Sequence, residues 1–336
     1  MQLHDLATPA LIVDADDLQY NLATMAGALP SSRCRPHVKA HKCTALAAEQ
    51  AAVGHRTFTC ATPLEMIGMA KVSLGEDLLL ANETVDPGRL SALAALTDAR
   101  VTVAVDSEAT IDAAAKAGIA EVLIDVNVGL PRCGCDPEEA GRLADQARSR
   151  GLAVRGVMGY EGHVMPVVGR ADRAAQVEES MAKLRAAHDL VGGEVTSAGG
   201  TGTYDLHQWA SEIQCGSYAL MDTYYARLEL PFRQALAVWG TVISVSAKWM
   251  VCDVGLKSLG MDHGDPSIDA AKVWFCSDEH TTFAPEAGGR LATLRVGDHV
   301  RVLPAHVDPT MALHDRLHII QNDEVVDTWA IDLRGW

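Results

Sequence analysis

Short apolar runs alternate with alanine-rich amphipathic segments through the first two thirds of the chain. The apolar runs predict strands at residues 35–39, 57–61, 77–81, 101–106, 121–127, 152–160, 194–198 and 213–220. Regular alternation of strand and helix is typical of parallel sheets, because parallel neighbours need a crossover connection. A doubly wound open sheet would alternate in the same way. The strand count and the lack of a G-x-G-x-x-G sequence after the first strand favour an α/β fold with a (β/α)8 TIM barrel.

From about residue 235 the pattern changes to strands separated by turns, which predicts a C-terminal β domain. These strands are expected at residues 237–253, 271–276, 291–303, 317–321 and 325–331. Val296-Gly297-Asp298 and Gln321-Asn322-Asp323 are typical turn sequences between them. A further strand-like run covers residues 10–14, before the first predicted helix of the barrel.

The composition excludes several classes of partner. Asp and Glu outnumber Lys and Arg by 44 to 28, which gives a formal net charge of −16. Nucleic acids and anionic membranes need a basic surface, so we expect neither as a partner. We find no secretion signal and no apolar run long enough to span a membrane. Eight scattered cysteines lack the spacing of a disulfide framework, which favours a reduced, cytoplasmic protein.

A basic motif stands where the first predicted strand ends: Arg35-Pro36-His37-Val38-Lys39-Ala40-His41-Lys42. Barrel enzymes keep their chemistry at the carboxyl ends of the strands, and Schiff-base catalysis needs an amine of lowered pKa in a pocket. Lys39 is therefore the first candidate. Lys42 competes with it, but a position at the start of a helix favours a solvated or structural role. His37 and His41 could contact a cofactor or pack at the barrel mouth.

Two further strand ends offer candidate ligand contacts. The glycine-bounded loop Asn127-Val128-Gly129-Leu130-Pro131-Arg132-Cys133-Gly134 could hold Arg132 over a ligand, with a surface arginine as the alternative. The motif Gly159-Tyr160-Glu161-Gly162-His163 ends the sixth predicted strand. Tyr160 could stack on a ligand there or belong to the core.

Two glycine-rich turns follow the last two predicted strands and predict an anion site. They are Ser197-Ala198-Gly199-Gly200-Thr201-Gly202-Thr203 and Gln214-Cys215-Gly216-Ser217-Tyr218. Successive backbone N–H groups and hydroxyls bind phosphate without a cation, and barrels commonly bind phosphate in these late loops. The candidate residues are Gly200, Thr201, Gly202, Thr203, Gln214, Gly216, Ser217 and Tyr218.

The segment Pro304-Ala305-His306-Val307-Asp308-Pro309-Thr310 contains a candidate metal pair. On an extended strand, residues two apart point to the same side, so His306 and Asp308 could bind one cation together. An imidazole and a carboxylate suit Mn²⁺ or a similar ion. A surface pair is the alternative, because H-x-D sequences are common.

In this order along nearly the whole chain, the motifs resemble the D-threonine aldolase and D-serine dehydratase family. These proteins are relatives of the alanine racemases and carry pyridoxal phosphate (PLP) on a barrel. The resemblance implies an alanine racemase N-terminal-like barrel at residues 15–232. It also implies a β domain at residues 1–14 and 233–336, which carries the metal pair.

The resemblance implies roles for individual residues. Lys39 would hold PLP as a Schiff base, Arg132 would donate to the phenolic oxygen of PLP, and Tyr160 would stack near it. Many D-threonine aldolases have a histidine base a few residues beyond this tyrosine. Pro166 stands near that place here and His163 lies closer to the tyrosine, so His163 or a metal-bound hydroxide is the candidate base.

Two positions bear on the reaction. Gln214 replaces the arginine that alanine racemases place against the pyridine nitrogen, which argues against racemisation. Asp308 gives the H-x-D of the aldolases, where eukaryotic D-serine dehydratases and a related hydroxyaspartate dehydratase have H-x-C. The resemblance thus favours a PLP- and metal-dependent lyase that cleaves D-β-hydroxy-α-amino acids, with D-threonine giving glycine and acetaldehyde.

Alternatives on the same scaffold are a D-serine or 3-hydroxy-D-aspartate dehydratase and a 3-hydroxy-D-aspartate aldolase. A non-catalytic PLP carrier ranks low, since those proteins lack the C-terminal β domain and the metal pair. Mn²⁺ is the first choice of metal, with Zn²⁺, Mg²⁺ and Co²⁺ as alternatives. The expected partners are a small D-amino-acid substrate and, as in many relatives, a second copy of the chain in a homodimer.

Overall fold

A computed structural model describes residues 1–286 and 288–336, which divide into two compact units. The barrel unit comprises Met25–Lys39, Leu46–Gly216 and Gly335–Trp336. The β unit comprises Met1–Thr24, Ala40–Ala45 and Ser217–Arg334. Residues 15–24 and 217–232, which the sequence analysis assigned to the barrel, cluster here with the β unit, so the domain bounds at 15 and 232 stay a prediction.

The strands and helices of the described residues follow the predicted alternation. The strands are β1 Ala10–Asp14, β2 Thr57–Cys60, β3 Asp77–Leu80, β4 Val101–Val105, β5 Glu121–Asp125, β6 Ala153–Gly159, β7 Val195–Ala198, β8 Glu212–Ile213, β9 Leu236–Val245, β10 Met250–Cys252, β11 Ala271–Cys276, β12 Thr281–Pro285, β13 His299–Val302, β14 Arg316–Gln321 and β15 Glu324–Ala330. The helices are α1 Ala15–Ala28, α2 Thr44–Ala52, α3 Pro63–Lys71, α4 Pro87–Ala94, α5 Glu108–Ala117, α6 Ala140–Ser149, α7 Arg170–Val191, α8 Thr223–Ala226 and α9 Val307–Leu313.

The barrel unit is built on seven parallel strands that pair in sequence order from β2 to β8. A short segment before β2 supplies the remaining position. Its Arg35 N–H donates to the Ile213 carbonyl of β8 at 2.9 Å, and its Pro36 carbonyl accepts from Thr59 of β2 at 2.9 Å. Because this segment pairs with both edge strands, it completes the eight positions of the predicted barrel. The predicted α/β barrel is confirmed.

The barrel interior is apolar in its middle layer. Side chains from β3, β4, β5, β6 and the start of β7 meet in one buried cluster of Leu79, Ala104, Leu123, Met158 and Val195. The surrounding helices begin at capping residues that the sequence supplies. Thr62 and Glu65 form a reciprocal capping box at the start of α3, and Asp86 caps α4.

An ionic network occupies the amino ends of the barrel strands. Asp77 at the start of β3 accepts from Arg155 Nη2 at 2.9 Å and from Arg35 Nη1 at 3.2 Å. Arg35 Nε also lies 2.8 Å from Glu212 Oε1 at the start of β8. Burial alone would raise the pKa of the Asp77 carboxyl, but the hydrogen bond from Arg155 and the charge of Arg35 outweigh burial and lower it. This network leaves the carboxyl ends of the strands for chemistry.

The β unit contains one eight-stranded sheet among its described residues. Its order is β11-β12-β10-β9-β1-β14-β15, with β13 also paired to β9. The N-terminal strand β1 lies inside this sheet, parallel to β14 and antiparallel to β9. A core cluster of Leu3, Leu6, Ala10, Ile12, Ala237 and Ile320 packs where these strands meet.

Several predicted strands have different bounds in the structure. The prediction at 213–220 was wrong beyond Ile213, because Cys215 N–H donates back to the Ile213 carbonyl at 3.2 Å in a tight turn that ends β8. The strand predicted at 237–253 is two strands, β9 and β10. Of the strand predicted at 291–303, only β13 forms, because Gly297 turns the chain with a φ of 98°. Strand β12 was missed, because its threonine-rich sequence has little apolar periodicity.

No helix in residues 1–286 or 288–336 combines the length and the apolar character needed to cross a membrane.

Candidate active site

Lys39 lies in a single 3-10 turn, Val38–Ala40, directly after the segment that completes the barrel. Its neighbours Val38 and Ala40 are fully buried and anchor the turn, while the lysine itself is half-buried. The Lys39 Nζ lies 5.9 Å from the centroid of the Tyr160 ring. Lys42 belongs to the β unit, where its φ is 50° and its carbonyl accepts from Leu333 N–H at 2.9 Å.

Tyr160 follows β6 and lies within reach of two cations. Besides Lys39, the Arg132 guanidinium carbon is 5.4 Å from the Tyr160 ring centroid. Glycines make room for the ring. A Cβ on Gly162 would lie 2.5 Å from Tyr160 Cε1, and a Cβ on Gly200 would lie 3.4 Å from Tyr160 Cε2. Both cations therefore lie within 6 Å of the same aromatic ring.

The loop after β5 holds Arg132 at the wall of a small cavity. Two glycines allow its shape: Gly129 has a φ of 137°, and Gly134 has a φ of 100° with no space for a Cβ beside the Asn127 backbone. The cavity is lined by Asp125, Val126, Asn127, Val128, Leu130, Arg132, Cys133 and Tyr160.

Two acidic groups of this cavity have raised pKa values. Burial, with the nearby Glu83 carboxylate, holds the pKa of the Asp125 carboxyl well above its usual value. Burial also raises the pKa of the Cys133 thiol to about 11. Arg132 therefore lies beside two groups whose charged forms are disfavoured by burial. The sequence analysis missed Asp125, whose signal is a carboxylate at the last position of a strand.

His163 packs against the loop that carries Arg132. A Cβ on Gly129 would lie only 2.6 Å from His163 Cε1, so the glycine permits this contact. The half-buried ring has no hydrogen-bond partner for Nδ1 within the described part of the chain. Pro166, which stands near the position of the relatives' histidine, is exposed.

The first glycine-rich turn is fully buried and tightly folded. Gly199 has a φ of 77°, and residues Thr201–Thr203 form a 3-10 turn. Thr203 was predicted to contact the phosphate. In the structure its hydroxyl donates to Glu161 Oε1 at 2.7 Å, so the hydroxyl proton is bound by a carboxylate of the protein. Gln214 Nε2 donates to Ser197 Oγ at 2.9 Å.

The second glycine-rich turn crosses from one unit to the other after Gly216. Ser217 and Tyr218 lie in the 3-10 turn Ser217–Ala219 of the β unit. The Tyr218 ring is fully buried and its centroid lies 5.6 Å from that of Phe232, in the core of the β unit. Of the predicted residues, the barrel unit therefore holds Lys39, Arg132, Tyr160, His163, Gly200, Thr201, Gly202, Thr203, Gln214 and Gly216.

The donor set of the barrel unit fits PLP. Lys39 supplies an amine, Arg132 a guanidinium, and Tyr160 an aromatic face. Gly200 lies beside the same ring, since a Cβ on it would be 3.4 Å from Tyr160 Cε2.

The metal pair lies at the start of α9, so the predicted extended strand was wrong. His306 precedes the helix with extended backbone, and Asp308 is in its first turn. Asp222 fixes this start by accepting from Val307 N–H at 2.9 Å. The Thr310 hydroxyl donates to the His306 carbonyl at 2.7 Å. The helix nevertheless brings His306 Nε2 and Asp308 Oδ2 to 3.7 Å, a spacing that two ligands of one ion can have.

Two residues that the sequence analysis missed complete the metal candidate. Asp262 Oδ2 accepts from His306 Nδ1 at 2.8 Å, and the His263 ring stacks on the His306 ring with centroids 3.8 Å apart. Asp262, His263 and His306 form a donor group that could hold a metal ion. A carboxylate on one histidine nitrogen fixes the tautomer and orients the other nitrogen toward a metal. The sequence signal was the dipeptide Asp262-His263 in a turn.

The chain is similar to known proteins along nearly its whole length. Residues 13–223 match the family described as "Alanine racemase, N-terminal domain", and residues 235–320 match "Putative serine dehydratase domain". A D-threonine aldolase from Arthrobacter sp is 33% identical over 98% of this chain and 93% of the relative. The chain belongs to the D-threonine aldolase and D-serine dehydratase-like family. The resemblance inferred from the motifs is thus confirmed.

Other members of the family share the same fold. A 3-hydroxy-D-aspartate aldolase from Paracoccus denitrificans (strain Pd 1222) is 31% identical over 100% of this chain and 94% of the relative. The crystal structure of D-threonine aldolase from Filomicrobium marinum superposes with a TM-score of 0.92 at 32% identity, covering 100% of this chain and 97% of that chain. D-threo-3-hydroxyaspartate dehydratase from Delftia sp. HT23 superposes with a TM-score of 0.90 at 25% identity, with full coverage of both chains.

Proposed function

We propose that the protein is a PLP- and divalent-metal-dependent lyase that cleaves D-β-hydroxy-α-amino acids, with D-threonine giving glycine and acetaldehyde. The arrangement of Lys39, Tyr160 and Arg132 at the carboxyl ends of the barrel strands carries this proposal. Relatives named as aldolases that align over nearly the whole chain support it. Eight free cysteines, six of them buried, support a reducing cytoplasmic setting.

Several of the predicted residues have a defined task in this proposal. Lys39 would hold the cofactor through its amine, and Arg132 would donate to the phenolic oxygen. The Tyr160 ring would support the pyridine ring, and the turn at residues 200–202 would receive the phosphate together with Gly216. PLP, when bound, supplies an electron sink for the pair of electrons left at the α-carbon when the Cα–Cβ bond breaks. The Lys39 amine then returns a proton to that carbon.

The β-hydroxyl must lose its proton for this bond to break. His306 and Asp308 would hold a divalent ion, whose role is to lower the pKa of the hydroxyl as a Lewis acid. His163 is the candidate base that would accept this proton, as the resemblance to the relatives implies. Mn²⁺ is the metal that we propose, because carboxylate and water oxygens suit Mn²⁺ and could fill the positions beside the histidine nitrogen.

A dehydratase is the second candidate, because a D-threo-3-hydroxyaspartate dehydratase shares the fold over the full chain. In a dehydratase the Lys39 amine would remove the α-proton and hydroxide would leave from the β-carbon. Asp308 favours the aldolase, since the H-x-D pair is the aldolase form of the motif. A non-catalytic PLP carrier is disfavoured, because the chain contains a matched second domain at residues 235–320.

Product analysis tests the proposal. The purified protein with PLP and Mn²⁺ is offered D-threonine, 3-hydroxy-D-aspartate and D-serine in parallel, with K39A as the control. Glycine from D-threonine supports the D-threonine aldolase. Glycine from 3-hydroxy-D-aspartate alone would keep the reaction type and change the substrate. Pyruvate from D-serine without cleavage of D-threonine would contradict the proposal.

A further inference from the structure

Glu161 is a fully buried carboxylate that directly follows Tyr160 and is hydrogen-bonded to the first glycine-rich turn. Its two oxygens accept three hydrogen bonds. Oε2 accepts from Gly199 N–H at 3.2 Å, and Oε1 accepts from the Thr203 hydroxyl and from His207 Nε2, each at 2.7 Å. The carboxylate therefore holds both ends of the turn at residues 199–203.

The turn's own hydrogen bonds extend this support. Gly200 N–H donates to Thr203 Oγ1 at 3.3 Å, and Thr203 N–H donates to the Gly200 carbonyl at 3.1 Å. The N–H groups of Gly199 and Gly200 thus stabilise the conformation of the turn.

His207 connects the same carboxylate to the segment that follows the turn. The His207 side chain is buried, and its backbone carbonyl accepts from Arg33 Nη2 at 3.1 Å. A Cβ on Gly199 would lie 2.9 Å from His207 Nε2, so only glycine lets the imidazole pack under the turn. All of these residues belong to the barrel unit.

Glu161 is charged in this environment. Burial alone would raise the pKa of its carboxyl, but the hydrogen bond and charge of His207, with the hydrogen bond from Thr203, outweigh burial and lower the pKa. Burying a carboxylate costs free energy unless the group is fully paired. A carboxylate beside a predicted anion site is therefore expected to have a structural role. Holding a flexible glycine-rich turn in one conformation is that reason.

We propose that Glu161 and His207 are positioning residues that fix the turn at residues 199–203 for a phosphate monoester. This inference rests on the proposed function, because it takes the PLP phosphate as the bound group. It also changes the role of Thr203 from a phosphate contact to a support of the turn.

A comparison of PLP with pyridoxal, which lacks the phosphate, tests this inference without an activity assay. We expect Glu161→Leu to weaken PLP binding by more than about tenfold, as for a lost charged hydrogen bond. Binding of pyridoxal should change much less, because that ligand does not use the turn. Glu161→Gln should fall between, since its amide oxygen still accepts from Gly199 N–H.

Asp77→Asn is the matched control. Asp77 is also a hydrogen-bonded carboxylate of the barrel unit, but it lies at the opposite ends of the strands. This variant should lower the thermal stability and leave the ratio of PLP to pyridoxal affinity unchanged. His207→Gln should shift that ratio in the same direction as the Glu161 variants.

The outcomes separate this inference from the proposed function. Equal loss of PLP and pyridoxal affinity in both Glu161 variants, or no loss in either, would overturn the positioning role. If Glu161→Leu does not fold, the ratio measured for Glu161→Gln and His207→Gln decides. Wild-type protein that binds neither PLP nor inorganic phosphate would overturn the proposed function and this inference together.

Discussion

Lys39 and Lys42 are three residues apart in one motif, but their surroundings differ. The Lys39 amine lies 5.9 Å from the Tyr160 ring centroid, whereas the Lys42 backbone is hydrogen-bonded to Leu333 in the β unit. We expect Lys39→Ala to lower kcat by more than about a thousandfold, as for loss of a covalent catalytic group. Lys42→Ala should retain activity.

Borohydride reduction of the PLP-bound protein, followed by peptide mapping, locates the modified amine. The label should lie on Lys39 in the wild type and in Lys42→Ala. A label on Lys42 in the wild type would show that the assignment of the two lysines is reversed.

Asp262 supports the metal ligand His306 through Nδ1. We expect Asp262→Asn to weaken Mn²⁺ binding by about 10- to 100-fold, the range typical of lost hydrogen bonds to a ligand histidine. Titration calorimetry of the substrate-free protein measures this affinity. Asp265→Asn is the control, because that carboxylate is close in sequence but outside the donor group of Asp262, His263 and His306. Equal affinity in Asp262→Asn and the wild type would contradict the orienting role.

Gly129 combines a left-handed backbone with a close contact to His163. An alanine at position 129 would have to adopt a φ of 137°, and its Cβ would lie 2.6 Å from His163 Cε1. We expect Gly129→Ala to lose about 1 kcal/mol or more of stability from the backbone, and in addition to lower kcat by displacing His163. Gly54→Ala is the matched control, since its φ is 106° and nothing lies within 4 Å of the added Cβ.

Both glycine variants should therefore lose stability in chemical denaturation, but only Gly129→Ala should lose activity at a temperature where it is folded. Full activity in Gly129→Ala would show that His163 does not take part in the reaction.

At the scale of elements, the amino ends of the barrel strands are held together by Asp77 and its two arginines. Because the folded-state pKa of Asp77 lies below its unfolded value of about 3.9, its contribution to stability is present above that value. The contribution is lost as the pH falls through the folded-state pKa. We expect Asp77→Asn to destabilise the protein by about 3 kcal/mol at pH 7, as for a broken buried pair.

Urea denaturation between about pH 7 and pH 3 checks the sign. The difference between wild type and Asp77→Asn should be largest at neutral pH and should shrink as the pH falls below the unfolded pKa. A difference that grows toward acid would contradict the assigned ionisation.

The sequence predicted elements better than it predicted contacts between distant residues. The alternation and the strand β11 could be recognised because their periodicity is local, and the lysine motif and the H-x-D pair are short. The Arg155–Asp77 bond joins residues 78 apart, and the His306–Asp262 bond joins residues 44 apart. No local pattern marks such pairs. The buried role of Glu161 was hidden for the same reason, since its partners follow 38 to 46 residues later.

At the scale of the molecule, the β unit exposes a group of large apolar side chains on β9, on β11 and just before β10. Trp249 and Trp274 have ring centroids 5.8 Å apart, and Phe275 is 55% exposed. Exposed apolar groups of this size are typical of protein interfaces. We expect Phe275→Glu to weaken the homodimer that the sequence analysis predicts.

Analytical ultracentrifugation over a range of concentrations measures this association. The control is Val72→Glu, because Val72 is an exposed apolar residue of the barrel unit. This substitution should leave the association unchanged. A wild type that stays monomeric at high concentration would contradict the predicted dimer.

The most direct test of the proposed retro-aldol reaction follows the α-hydrogen of the substrate. Retro-aldol cleavage breaks the Cα–Cβ bond and leaves the α-hydrogen in place, whereas dehydration must remove it. With D-threonine deuterated at the α-carbon, mass spectrometry at early times should find glycine that retains the deuterium, together with acetaldehyde. Loss of the deuterium with formation of 2-oxobutanoate would contradict the account and identify the protein as a dehydratase.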